Sequence, residues 1–330
     1  MRNTQQSFFR QRSFILLLKG AVFIFLAAAL YKQLFIDDDF RSTWNYFTTD
    51  YYPLHHFGFI LLVVLMMPLN WFIEARKWQL LVSHVEKINF FTAVKAVFSG
   101  VTFSVFTPNR IGEFAGRIIF LNSKKVLKPI AITFIGTLAQ LTATAVFGII
   151  AVVFYIVKHE QLPHYFNEAI IFFVMLFALG ILFLYFNLQL VFQLFQKIKF
   201  LNRWSEFVKV LSEYTRKELF NFIFLSFLRY GIFMFQYVLL LKSLGLPISF
   251  SNGFLIVPII YLVQTILPTI TILEPGLRSN VALFFLSPFI FHPENKLAIV
   301  AAAIGIWFIN LIVPALIGSI FIFSLKRKDN

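Results

Sequence analysis

The sequence predicts an all-α integral membrane protein of about six full transmembrane helices and two re-entrant broken-helix hairpins, arranged as an inverted repeat. Three observations carry this prediction. Hydrophobic residues make up 59% of the 330 positions and charged residues only 13%, with 46 phenylalanines, which is too apolar for a soluble domain of this length. Apolar runs of about 20 residues, the length that crosses a bilayer as a helix, recur along the chain. Two further apolar stretches are interrupted at their middle by Pro, Gly and charge.

Taken in order, the uninterrupted runs fall at 14–30, 56–73, 129–157, 168–190, 219–243 and 296–324. Arg2, Arg10 and Arg12 precede the first run as in a signal peptide, but no small-residue cleavage site follows. It reads as a retained first span. The interrupted stretches, 90–121 and 250–291, read as hairpins that return to the side they entered. No segment between apolar runs is long enough to form a separate aqueous domain, so 1–330 is a single membrane domain.

Charge distribution orients these elements. The net charge is +14, yet the cations do not form a nucleic-acid-binding block; they lie in short loops, as a topology signal does. With both hairpins re-entrant, Lys and Arg concentrate at the two termini and in 74–95, 122–128 and 197–217. The opposite loops hold only Lys32, Arg41, Lys158, Lys242 and Lys296. Both termini are therefore expected in the cytoplasm.

Under this topology the halves 1–160 and 161–330 have opposite orientation. Pro108, Glu113, Gly116 and Arg117 in the first hairpin recur about 160 residues on as Pro268, Glu274, Gly276 and Arg278 in the second. Glu-x-x-x-Arg in both breaks of a charge-poor chain is the plan of an inverted-repeat transporter, whose broken helices meet near the midplane. Between the halves, Phe200, Leu201, Trp204, Phe207, Val208 and Leu211 share one helical face. They predict an amphipathic linker helix over 200–217 on the cytoplasmic surface.

Several chemistries are disfavoured. The chain has no cysteine, which removes disulfides, thiolate metal sites and cysteine nucleophiles. None of its six histidines is in an HExxH pattern, and Asp37-Asp38-Asp39 reads as a solvated outer loop, since no second acidic cluster completes a metal cage. No metal and no cofactor are expected. The absence of a Gly-x-x-x-x-Gly-Lys loop argues against direct use of ATP.

The candidate site is the charged, helix-broken stretch Thr107-Pro108-Asn109-Arg110-Ile111-Gly112-Glu113-Phe114-Ala115-Gly116-Arg117. Pro108 removes a backbone donor, Gly112 and Gly116 allow close backbone approach, and Pro268 and Gly276 mark the second break. Arg110, Arg117 and Arg278 each carry a planar fork of donors suited to phosphate oxygens. Together with half-helix N-termini they favour an anionic head group. Glu113 and Glu274 each precede an arginine by four residues, so each can pair with and orient it on one helical turn. Either carboxylate also suits two further readings, a proton carrier or a buried structural ion pair. Arg229, inside the fifth run, either faces the same cavity or snorkels to the head groups. Gln140, Thr142, Gln264 and Asn310 read as helix-helix hydrogen-bonding groups. Neither break forms a site alone, and Arg117 and Arg278 are expected to converge in one polar cavity.

Arg76-Lys77-Trp78, Gly100, Pro108-Asn109-Arg110-Ile111-Gly112-Glu113 and Arg117, followed by Leu267-Pro268 and Gly276-Leu277-Arg278, resemble the motifs of the lysylphosphatidylglycerol synthase transmembrane family, also called the flippase-like membrane domain family. The resemblance covers roughly 14–323. The chain departs from it at Ser279, where the family has an acidic residue directly after the arginine. What the resemblance implies is a prokaryotic cytoplasmic-membrane protein that moves lipids, such as aminoacylated phospholipids or polyprenyl-linked sugars, between leaflets. It implies no synthase activity, because the chain ends at Asn330 after Lys326-Arg327-Lys328 and the soluble aminoacyl-transferase domain is expected to be absent.

The leading expectation is a lipid flippase or transporter, not an enzyme, with an anionic-head-group lipid as its partner. The alternatives are an integral membrane transferase acting on a polyprenyl phosphate or phospholipid, with Glu113 or Glu274 as base, and a membrane scaffold for a partner lipid-modifying enzyme.

Overall fold

The computed structural model describes residues 54–107, 110–122, 127–159, 164–187, 190, 210, 213–267 and 273–323. The first expected span, the Asp37-Asp38-Asp39 loop and most of the expected linker helix lie outside these residues, as do Pro108 and Pro268.

All regular structure among the described residues is helical. Helix α1 (Leu54–Val82) leads into a broken pair, α2 (Phe90–Val105) and α3 (Gly112–Ile118), and then into α4 (Leu127–His159) and α5 (His164–Phe186). Helix α6 (Arg216–Ser243) leads into a second broken pair, α7 (Phe250–Ile266) and α8 (Glu274–Leu286). A last long run follows as α9 (Pro293–Trp307), a π-helical turn (Phe308–Ile312) and α10 (Val313–Phe323). Among the described residues, five helical runs, Gly58–Val82, Lys128–Lys158, Phe166–Phe186, Arg216–Ser243 and Glu294–Phe323, are long and apolar enough to cross a membrane, and the two first limbs, α2 and α7, are shorter.

Local chemistry sets several boundaries. Asn89 caps α2 by accepting from Thr92 N at 2.8 Å, and Thr215 opens α6 with a capping box closed by Glu218, each satisfying backbone donors that a helix start leaves open. That cap starts α6 at Arg216, so residues 216 and 217 belong to the span rather than to the linker. Helix α1 runs nine residues beyond the apolar boundary at 73. Its Glu74 and Lys77 are buried and neutralise each other, so the helix continues inside protein.

The limbs of the first broken pair pack antiparallel at glycine contacts. A Cβ on Gly116 would meet Ser99 O at 2.6 Å and Gly100 Cα at 2.7 Å, and one on Gly112 would collide with Phe103 O. Gly116 lies within α3 and Gly276 in the first turn of α8, so neither interrupts its helix. Gly112 and Gly116 instead let two backbones touch.

Packing between the halves is reciprocal. Helix α1 lies against α6, the first limb α2 lies against α10, and the first limb α7 lies against α4. Each hairpin thus leans on the closing helix of the other half. Helix α5 stands at the periphery, with only 11% of its span buried and Phe172, Phe173, Phe177 and Phe183 exposed. That is the face expected of a helix solvated by lipid.

Candidate functional site

Asn70, Trp71, Glu74 and Lys77 follow the three- and four-residue spacing that puts them on one face of α1. Glu74 is 4% exposed and gathers three cations: Lys77 Nζ at 2.8 Å, Arg117 Nη2 at 2.9 Å and Arg229 Nη1 at 3.3 Å. Arg117, 2% exposed, pairs again with Glu113 one turn earlier on α3. Lys77 also donates to Gly136 O and Ser226 Oγ, both at 3.2 Å, which ties α1 to α4 and α6. Arg229 donates through Nε to Asn70 Oδ1 at 2.7 Å and through Nη1 to Gln140 Oε1 at 3.3 Å. Its guanidinium lies over the rings of Trp71 and Phe233, 4.8 and 5.0 Å from their centroids, an attraction strengthened by exclusion of water. Arg229 therefore faces inward rather than snorkelling to the head groups.

A second cluster joins the two broken pairs. Glu274, the first residue of α8, accepts from Arg110 Nη2 at 2.8 Å on Oε2, and from Arg110 Nη2 and Nε at 3.1 and 3.2 Å on Oε1. The same carboxylate accepts from Arg278 Nε at 3.3 Å, and Arg278 Nη1 donates to Gln264 Oε1 at 2.9 Å. Glu274 thus holds an arginine from each hairpin. Arg110 reaches it from a left-handed backbone, φ 59°, the only positive φ on a non-glycine residue among those described. A side chain in that region is disfavoured, and such strain persists where the surroundings fix the conformation.

Both clusters border one cavity of about 580 Å³. Its wall includes Lys77, Arg110, Arg229 and Arg278 together with Glu74, Glu113 and Glu274, and it also carries Gln140, Gln264 and Asn310. The wall itself sets four cations against three carboxylates, an excess of one positive charge, and Arg117, buried behind Glu74, adds a further cation to the network. The cavity lies deep in the spans. Gly136 to Thr144 contribute from α4, whose span runs Lys128–Lys158, and Arg229 contributes from the middle of Arg216–Ser243. At 1.5 Å per residue these helices are about 40 to 47 Å long, so the charged wall sits near their centres.

The expected meeting of Arg117 with Arg278 is corrected here. Arg117 is absent from the cavity wall and its charge is spent on Glu74 and Glu113. Arg110 is the arginine of the first hairpin that meets the second. The reason is geometric: Gly116 and Gly112 bring α3 so close to α2 that Arg117 turns back against Gly100, whose Cβ position it fills to within 2.9 Å. Gln140 and Gln264 join helix to helix as expected, each by accepting from a cavity arginine of another helix. Asn310 lies on the π-helical turn and donates to Gln236 Oε1 at 3.2 Å. Such turns are frequent at functional sites.

Asn70 and Glu74 carry no expectation from the sequence, and Lys77 enters there only within the Arg76-Lys77-Trp78 motif and among the cytoplasmic topology charges. Their signal was available. They continue the helical face of Trp71 without interruption, and opposite charges three apart on one face can neutralise each other in a helix interior.

The family model described as Lysylphosphatidylglycerol synthase TM region matches residues 16–318. No curated protein and no solved structure matches the chain.

Proposed function

On the footing that the chain belongs to the lysylphosphatidylglycerol synthase TM region family, and so is a multi-pass membrane protein of lipid metabolism or transport, we propose that it is a flippase for a lipid with an anionic head group. The observation that carries this reading is the convergence of Arg110 and Arg278, one from each broken pair, on the single carboxylate of Glu274 in a cavity with excess positive charge. Each guanidinium offers a planar fork that fits a phosphate as well as a carboxylate. In this reading Glu274 occupies the anion position while no lipid is bound, and a head-group phosphate takes its place.

Alternating access follows from the same contacts. An inverted repeat, supported by the reciprocal packing of α2 on α10 and α7 on α4, lets the two halves rock around the site and expose it to each leaflet in turn. The Glu74 cluster serves as the fixed floor. Its charges are buried and mutually paired, an arrangement costly to break and unsuited to a moving part. The protein then acts as a carrier and not as a catalyst, in a prokaryotic cytoplasmic membrane with both termini inside. The lipid is its partner, and no separate enzyme is needed for the transfer.

Reconstitution in liposomes tests the proposal. Fluorescent phosphatidylglycerol in the inner leaflet becomes accessible to a membrane-impermeant quencher only if it is moved. The expected result is rapid quenching with wild-type protein and loss of that rate in Arg110→Ala and Arg278→Ala. Equal rates in all three would reject the site.

A further inference from the structure

The cavity wall changes chemistry abruptly along two helices. On α4, Gln140 points to Arg229 while the next residue, Leu141, lines the same cavity and is 42% exposed. On α7, Gln264 holds Arg278 while Ile266 and Leu267, also in the wall, are 70% and 38% exposed. Thr265 between them turns its hydroxyl back to Tyr261 O at 2.7 Å, which satisfies its polar group within the helix. Residues that both line a cavity and are exposed mark its opening. This opening is framed by α4 and α7 and is rimmed by apolar side chains.

The position of the opening gives it meaning. Helices α4 and α7 close against each other at Gly148, where a Cβ would meet Leu262 Cβ at 2.6 Å, and the exposed rim lies about two turns away along α4 and about one turn away along α7. Leu141 is two residues from the centre of the span Lys128–Lys158. At about 1.5 Å per residue that is about 3 Å from the middle of the helix, and a span centred in a bilayer sets it in hydrocarbon, where an opening rimmed by Leu and Ile costs nothing to expose. A water-soluble anion could not enter by this route. A molecule with a charged end and a hydrocarbon end matches it.

We infer that the gap between Leu141 of α4 and Ile266–Leu267 at the C-terminal end of α7 is a lateral portal through which the acyl or isoprenoid chain of the bound lipid extends into the bilayer core. The inference rests on the proposed flippase reading and deepens it by separating two subsites: guanidinium and carboxylate groups for the head, and an apolar rim for the chain. The head group then reaches Arg110 and Arg278 without its chain leaving the hydrocarbon.

The test narrows the rim without touching the charges. Leu141→Trp and Ile266→Trp, at exposed positions that tolerate bulk, are compared with Phe172→Trp on the lipid-facing side of α5. All are reconstituted with fluorescent phosphatidylglycerol and with fluorescent phosphatidylcholine as the zwitterionic comparison. The expected result is translocation about tenfold slower in both rim variants, a modest steric barrier. Preference for the anionic lipid is retained and Phe172→Trp is unaffected. Arg278→Ala, by contrast, loses the preference. If the rim variants run at the wild-type rate while Arg278→Ala still loses preference, the portal is wrong and the head-group site stands. Equal slowing by Phe172→Trp also rejects the portal. If wild-type protein moves neither lipid, the flippase reading fails and the portal falls with it.

Discussion

Arg110 and Glu274, 164 positions apart in sequence, meet through a 2.8 Å ion pair that joins the first broken helix pair to the second. Glu274 is buried, with its side chain 6% exposed, while that of Arg110 is 39% exposed. The carboxylate is thus fixed within the protein and the arginine is the partner able to leave. An anion that competes for Arg110 need not break the fold.

Removing that competitor has a defined effect. Glu274→Gln takes away the charge that neutralises Arg110 and Arg278, and a hydrogen bond to a charged group contributes about 1.5 to 3 kcal/mol. The affinity for short-chain phosphatidylglycerol should rise about tenfold in equilibrium binding to detergent-solubilised protein. Unchanged affinity would mean that Glu274 does not occupy the anion position.

Arg110 separates stability from function. Its left-handed backbone costs about 1 to 2 kcal/mol for a residue with a Cβ, and glycine removes that cost. Its hydrogen bonds to Glu274 return about 1.5 to 3 kcal/mol, part of which Arg278 keeps by remaining paired with that carboxylate. Arg110→Gly should therefore melt within a few degrees of wild type, followed by tryptophan fluorescence, while losing nearly all lipid translocation. A large fall in melting temperature would make Arg110 a structural residue.

The Glu74 cluster should behave in the opposite way. Glu74→Gln leaves Lys77, Arg117 and Arg229 buried with one negative neighbour fewer, and breaking such a buried arrangement costs about 3 to 5 kcal/mol. A marked drop in melting temperature, accompanied by loss of folded protein on size exclusion, is the expected outcome. Wild-type stability would show that the cluster is not the floor of the site.

Close backbone contact predicts a third class of effect. A Cβ on Gly116 would press on Ser99 O and Gly100, and one on Gly318 would collide with Phe98 O and Thr102 Oγ1. Gly116→Ala and Gly318→Ala should each destabilise by about 1 to 3 kcal/mol, the usual cost of forcing extra atoms into a packed interface. Thermal melting of each variant in the same detergent measures this directly.

How much of this was legible in the sequence depends on the length scale of the signal. Long apolar runs and Pro-Gly-charge breaks are local, and among the described residues they predicted both broken pairs and the long helices to within a few residues, except α1, which runs nine residues past its expected end. The recurrence of Glu-x-x-x-Arg predicted the pairs Glu113–Arg117 and Glu274–Arg278, both of which form. The sequence pointed to Arg117 as the arginine that meets the second hairpin, whereas Arg110 does so, because the crossing is set by the glycine contact of α3 on α2 and by the backbone of Arg110. Glu74 and Lys77 were obscured by the opposite problem. A charge pair buried after an apolar run has the same composition as a loop, and only its partners 43 and 149 residues away distinguish the two.

The flippase reading requires a lipid phosphate between Arg110 and Arg278. Solid-state NMR on reconstituted protein, with 13C-labelled arginine guanidinium and the phosphorus of phosphatidylglycerol as the dipolar pair, measures that contact directly. The expected result is strong carbon–phosphorus dephasing in wild-type protein that disappears in Arg110→Ala/Arg278→Ala. Dephasing of equal strength in that double variant, or none in the wild type, would contradict it.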